Sequence, residues 1–364
     1  MKFILPLFLI LFPVSCSQNT QSVSIEDDLG VPKAVSIIPM PLEIEEMGTN
    51  YRIDNKSMLY LHGHQDDLNS NAEYLKNRLE LAATVASITI SNETSTEKGI
   101  HFIINETYDN DLGEEGYRLS ADQNLFITAN KPAGIFYGIQ TLLQLMPSAV
   151  FGTEGELSEF MIPVVEITDV PRYEYRGMHL DPCRHFFSVE FTKKYLDYMA
   201  YHKLNKFHWH LTEDQGWRIE IKKYPKLVEM GSKRGGTLVL NHEVKWNEQK
   251  YDSIPVEGYY TKAEIVAYAA LRHIEVIPEI EMPGHSTAAL VGYPQLSCTG
   301  GPFEVLQRPG VIPDVYCAGN DSVFTFLKDI IDEVTELFPS QYIHIGGDEC
   351  PKERWEACDK CKRS

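Results

Sequence analysis

From Pro171 onward the chain alternates short apolar segments of strand length with segments of helical period, and this rhythm limits the possible folds more than any other feature. Residues 175–180, 206–211, 273–280 and 341–345 read as strands. Residues 188–203, with Ser188 as N-cap, residues 261–273, opened by Thr261-x-x-Glu264, and residues 322–338 read as helices. Strands separated by helices pair in parallel, so the expectation is an α/β fold, either a barrel or an open parallel sheet. Residues 163–171 read as a crossing between domains. Before it, residues 74–83 and 131–146 have helical spacing, and residues 100–105 and 125–129 read as strands.

Each strand after Pro171 ends on chemistry. The first gives Arg176-Gly177-Met178-His179-Leu180-Asp181, then Arg184. The second gives His208-Trp209-His210-Leu211-Thr212-Glu213-Asp214, and the third Glu279-Ile280-Glu281-Met282-Pro283-Gly284-His285. A strand arginine is costly unless a carboxylate or ligand meets it. A lone histidine is most simply a packing residue, and only four such strand ends together favour a site. Parallel barrels build their sites at these C-terminal ends.

The sharpest segment is His344-Ile345-Gly346-Gly347-Asp348-Glu349. Neighbouring strand residues point to opposite faces, but the glycines permit a turn that brings both acids to one pocket. Adjacent carboxylates repel, which favours one holding a proton beside one that stays charged, a pairing suited to glycosidic cleavage. The bland alternative is a solvated turn. A metal site built from His208-x-His210, His285 and Asp348 is a rival, and a non-catalytic glycan-binding protein is another.

RGMHLDPCRHF, KLNKFHWHLTEDQGWR, PEIEMPGHS and HIGGDE, in this order, resemble family 20 glycoside hydrolases, the β-N-acetylhexosaminidases, and AGIFYGIQTLLQLMP resembles the end of that family's small α/β domain. The resemblance implies a small N-terminal α/β sandwich over residues 35–168 and a (β/α)8 TIM barrel from residue 169. Only fifteen residues follow Glu349, so about the first half of the barrel is expected, as in a fragment. The resemblance further implies retaining, substrate-assisted hydrolysis through an oxazolinium. In it Glu349 is acid and base, Asp348 supports the acetamido group, Arg176 holds sugar hydroxyls, and Asp214 and His285 are supporting residues whose roles Glu213 or His344 could share. The implied partner is a glycan ending in N-acetylhexosamine, with no cofactor and no metal.

Residues 1–15, with Lys2 and an apolar run too short for a bilayer, read as an export signal. Pro13-Val14-Ser15-Cys16 resembles a bacterial lipobox apart from Pro13, where leucine is usual. Cys16 is thus a candidate lipidated anchor for a periplasmic or cell-surface protein, with residues 16–34 as tether. The formal net charge of −19 disfavours nucleic acid. Cys358-x-x-Cys361, with Cys350 nearby, has metal-site spacing but no clear fourth ligand. Disulfides or free thiols are the expectation there.

Overall fold

The structure is a computed structural model describing residues 35–363 apart from 64, 83–87, 153–158, 240–249 and 262. The export signal, Cys16 and the tether lie outside the described residues.

The N-terminal region is one seven-stranded sheet. Its strands are β1 (Glu43–Ile53), β2 (Met58–His62), β3 (Thr89–Ser91), β4 (Ile100–Ile104), β5 (Tyr117–Ala121), β6 (Leu125–Ala129) and β7 (Phe160–Asp169), in the order β1-β7-β5-β6-β4-β2-β3. The β3, β2, β4 and β6 pairings are parallel, and those of β5, β7 and β1 antiparallel. Two helices, α1 (Gln65–Ala82) and α2 (Pro132–Leu145), accompany it. The α2 sequence is apolar nearly all round, and eleven of its fourteen residues are buried. A helix of that kind must be covered on more than one side. It packs on β5 and β6 and also meets the region that follows.

That region holds three parallel strands, β8 (Gly177–Leu180), β9 (Lys206–His210) and β14 (Glu275–Glu279), in the order β14-β9-β8. The helix α3 (Val189–Tyr201) links the first two, and α5 (Ala263–Ala270) precedes the third. Ser188 Oγ accepts from Phe191 N at 3.2 Å, so the sequence-derived cap forms. Glu264 instead pairs with Lys193 on α3. Between β9 and α5 lie two small two-stranded antiparallel sheets, β10 (Thr212–Glu213) with β11 (Gly216–Trp217) and β12 (Lys233–Arg234) with β13 (Val256–Glu257), and the short α4 (Lys226–Glu229). After β14 come α6 (Thr287–Gly292), α7 (Asp321–Leu337) and α8 (Glu353–Ala357).

The sheet register decides what faces what. Phe207 and Trp209, both buried, lie on the face that meets Tyr195 of α3, Tyr260 and Phe338. The opposite face carries His179, His208, His210 and Glu279, with His179 beside His208 and His210 beside Glu279. Residues 341–345, expected to form a fourth strand, make a single parallel bridge between His344 and Glu279. Three backbone bonds hold the segment: His344 N to Pro278 O at 3.0 Å, Ile280 N to His344 O at 2.9 Å and Met282 N to Ile345 O at 3.1 Å. Its other edge has no strand partner among the described residues, and Tyr342 and Ile345 are exposed there.

Arg176 requires a correction. It precedes β8 rather than ending it, at the N-terminal edge of the parallel strands. Its guanidinium contacts Glu115 Oε2 at 2.8 Å, Lys203 O at 2.8 Å, Tyr173 O at 2.7 Å and Tyr137 Oη at 3.3 Å. Those donors are committed to the junction with the N-terminal sheet, at the end opposite the loops that follow the strands.

Candidate active site

Two segments converge on His285, which lies on the loop after β14. From β10 comes Glu213, whose Oε1 lies 2.8 Å from His285 Nδ1, and Asp214, whose Oδ2 lies 3.3 Å from the same nitrogen. Asp214 Oδ1 also accepts Thr287 N at 2.9 Å, which ties the loop to the start of α6. From the segment after His344 come Asp348 and Glu349, with carboxylate oxygens 3.7 and 3.5 Å from His285 Nε2. His285, Glu213 and Asp214 are buried, whereas the Asp348 and Glu349 side chains are 64% and 54% exposed. A buried imidazole thus faces two acids open to solvent, and its Nε2 has no hydrogen-bond partner among the described residues.

Backbone conformation makes the convergence possible. Gly346 and Gly347 have φ of 65° and 93°, and Glu349 itself 42°, so the segment leaves strand geometry just after the bridge. Without those turns Asp348 and Glu349 would project to opposite faces. Gly346 serves a second need, because a Cβ there would overlap the Glu281 carboxylate. Across the same site Gly284 packs against the backbone of Asp348 and Cys350.

Behind the acids lies a ladder of buried charge. Hydrogen bonds to Asp214 and Glu213 raise the His285 pKa to about 11, so it is a cation at neutral pH. Burial alone would lower His210, but contacts with Glu213 and Glu279 raise it to about 10. Burial would raise Glu213, yet His210, His285 and Arg184 hold it at about 2. Burial likewise opposes ionisation of Glu279, but His179, His208 and His210 around it keep it far below the ordinary range. Glu281 goes the other way. Burial, with Glu279, Asp348 and Glu213 near it, raises Glu281 to about 8 despite His210. At neutral pH the ladder therefore alternates cations and anions and ends in a neutral carboxyl beneath Gly346.

The sequence reading placed Asp348, Glu349, Asp214 and His285 in one site, and the structure brings them together. It also brings in Arg184, whose guanidinium spans Asp181 Oδ2 at 2.9 Å and Glu213 Oε2 at 3.2 Å. A residue that follows its strand reaches the C-terminal end, whereas one that precedes it does not, and this order separates Arg184 from Arg176. Glu281 was missed as a site residue; its signal was position, two residues beyond Glu279 and so on the same side if the strand geometry continues. His208 and His210 do share a face, as a metal site would require, but both converge on Glu279, at 2.7 and 3.1 Å.

Residues 173–364 match the profile of glycosyl hydrolase family 20, catalytic domain, and residues 34–170 that of glycosyl hydrolase family 20, domain 2. A β-hexosaminidase of Porphyromonas gingivalis is 45% identical over 354 residues, which is 96% of this chain and 43% of that protein. One from Akkermansia muciniphila is 39% identical over 258 residues, 70% of this chain and 49% of that protein. Among solved structures, the β-N-acetylhexosaminidase of Streptomyces coelicolor A3(2) superimposes with a TM-score of 0.74 at 36% identity, covering 86% of this chain and 60% of that one. That of Bacteroides fragilis gives 0.73 at 35% identity, covering 91% and 59%. The chain thus spans about half the length of the curated relatives it matches. Its alternating strands and helices are those of the family's TIM-barrel domain, preceded by the family's α/β domain: the chain belongs to glycosyl hydrolase family 20.

Proposed function

We propose that this chain carries the reacting carboxylates of an enzyme that removes terminal β-linked N-acetylhexosamine from glycans with retention of configuration. The observation that carries the reading is the pairing of two solvent-open acids on one buried cation, Glu349 and Asp348 at 3.5 and 3.7 Å from His285. A solved mutant of the Streptomyces plicatus β-hexosaminidase holds the product GlcNAc, which supports the sugar class.

In this reading Glu349 gives a proton to the leaving glycosidic oxygen while the substrate's acetamido oxygen attacks the anomeric carbon. Asp348 accepts the acetamido N–H and opposes the positive charge that develops as the oxazolinium forms. Glu349 then takes a proton from water as it opens the ring. His285 orients both acids, and its own direction is fixed by Glu213 and Asp214. Arg184, on the same relay through Glu213, takes the sugar-hydroxyl role that the sequence reading gave to Arg176. Export, with lipidation at Cys16, remains part of the proposal; mass spectrometry of the mature N-terminus tests it.

The decisive assay is hydrolysis of a chromogenic β-N-acetylglucosaminide by the chain and by Glu349→Gln. Loss of a general acid and base lowers kcat by about 100- to 10,000-fold. Undiminished kcat in Glu349→Gln overturns the assignment. Sugar binding without turnover in folded wild-type protein would instead favour a glycan-binding role.

A further inference from the structure

Away from the acids, four cysteines from two distant stretches of chain converge. Cys298 and Cys317 lie between α6 and α7, and Cys358 and Cys361 just after α8. Their four Sγ atoms all lie within 4.8 Å of one another. The separations are 3.5 Å for Cys317 and Cys361, 3.7 Å for Cys298 and Cys361, and 3.8 Å for Cys317 and Cys358. Four sulfurs each about 2.3 Å from one zinc ion stand about 3.8 Å apart at the corners of a tetrahedron. The expected disulfides or free thiols would not need four sulfurs gathered at one point. Cys350, which the sequence reading set beside Cys358 and Cys361, is outside the group.

The surroundings fit a bound ion as well as the sulfurs do. Gly319 N donates to Cys361 Sγ at 3.3 Å, the kind of amide bond that supports a thiolate ligand. A Cβ at Gly319 would overlap the backbone at Lys360 and Cys361, so only glycine lets the two loops close around the sulfurs. Beside the cluster Trp355 Nε1 donates to Tyr316 O at 2.8 Å and Arg354 Nε to Asp314 Oδ1 at 2.8 Å. Tyr316 N in turn donates to Pro283 O at 3.0 Å, two residues before His285.

We propose that Cys298, Cys317, Cys358 and Cys361 bind one structural zinc ion. The ion staples the segment that follows Glu349 to the loop that leads into α7. It supplies no reacting group and acts by fixing the backbone on both sides of the acid pair.

The test is elemental analysis of the whole chain, purified under reducing conditions from zinc-supplemented medium. We expect one zinc per chain in the wild type and in Cys350→Ser, and loss of most of it in Cys361→Ser. If Cys361→Ser does not fold, wild-type protein alone decides. Chelation should lower the melting midpoint and increase alkylation at these four cysteines but not at buried Cys183. Cobalt added to the reduced, chelated protein should give the visible spectrum of a tetrahedral thiolate site. A folded wild type that holds no zinc overturns the proposal, as does full zinc content in folded Cys361→Ser.

Discussion

His285 shows how single residues create the site's electrostatics. It has φ of 47°, a conformation few non-glycine residues adopt, and it is buried among acids. The local cost is offset because the buried Asp214 meets its basic partner there, while Glu213 also has Arg184 and His210. Glu281 is the counterpart, an acid that the same crowding keeps protonated. Its pKa rises from the ordinary 4.5 to about 8, so the folded chain keeps a proton that the unfolded chain releases above pH 4.5. The stability this supplies is complete below pH 4.5 and is lost as pH climbs through about 8. Glu281→Gln should therefore weaken the decline in unfolding free energy between pH 5 and 8. Denaturant titrations at the two values read this directly, and an unchanged decline would show that Glu281 titrates normally.

At the scale of elements, turns do what strands cannot. The segment after His344 keeps three backbone bonds to the neighbouring strand and then departs from it at Gly346. Gly346→Ala adds a methyl group in a left-handed conformation and against Glu281, so the segment must move. We expect kcat to fall at least tenfold, with a melting midpoint lowered far less than by a core truncation. Unchanged turnover would mean that the acids do not depend on this turn.

Helix ends show the same economy at the opposite edge. The helices α3 and α5 are followed by Lys203 and His273, with φ of 58° and 54° where glycine is the common choice. Each keeps a side chain there because that side chain enters the N-terminal region. Lys203 Nζ meets Asp169 Oδ2 at 2.7 Å and Tyr117 Oη at 2.8 Å. The His273 ring lies tilted against Phe136 of α2, and its Nε2 is 3.2 Å from Asn71 Oδ1.

The whole molecule is therefore built with the site at one end of its parallel strands and the domain junction at the other. Arg176, Lys203 and Asn205 all point into that junction, where Asn205 Nδ2 donates to Glu115 Oε1 at 3.0 Å. Removing one partner of a buried ion pair costs about 3–5 kcal/mol. Lys203→Met, which keeps the stem and the backbone conformation but not the charge, should lose an amount of that order in chemical unfolding, with KM unchanged. A raised KM would mean that the junction shapes the sugar site.

Much of this arrangement was legible in the chain. The apolar period fixed α2, β6 and β9 to within a residue, because those segments are buried and their hydrophobic pattern records it. The pairing of Asp348 with Glu349 was legible because two glycines before two acids leave few backbone courses. Arg176 misled because a sequence shows that an arginine adjoins a strand, while the parallel direction of the sheet decides whether it stands at the site or behind it. The four-cysteine cluster was hidden for a related reason. A four-thiolate site needs its sulfurs at one point, and only the fold brings Cys298 and Cys317, which precede α7, to Cys358 and Cys361, which follow α8. The sequence by itself determined the most strongly patterned segments, such as α2, β6 and β9, and where the acids lie in the chain, since those follow from local pattern. Only the tertiary structure decided which charges neutralise one another, because burial and distance between remote residues set that balance.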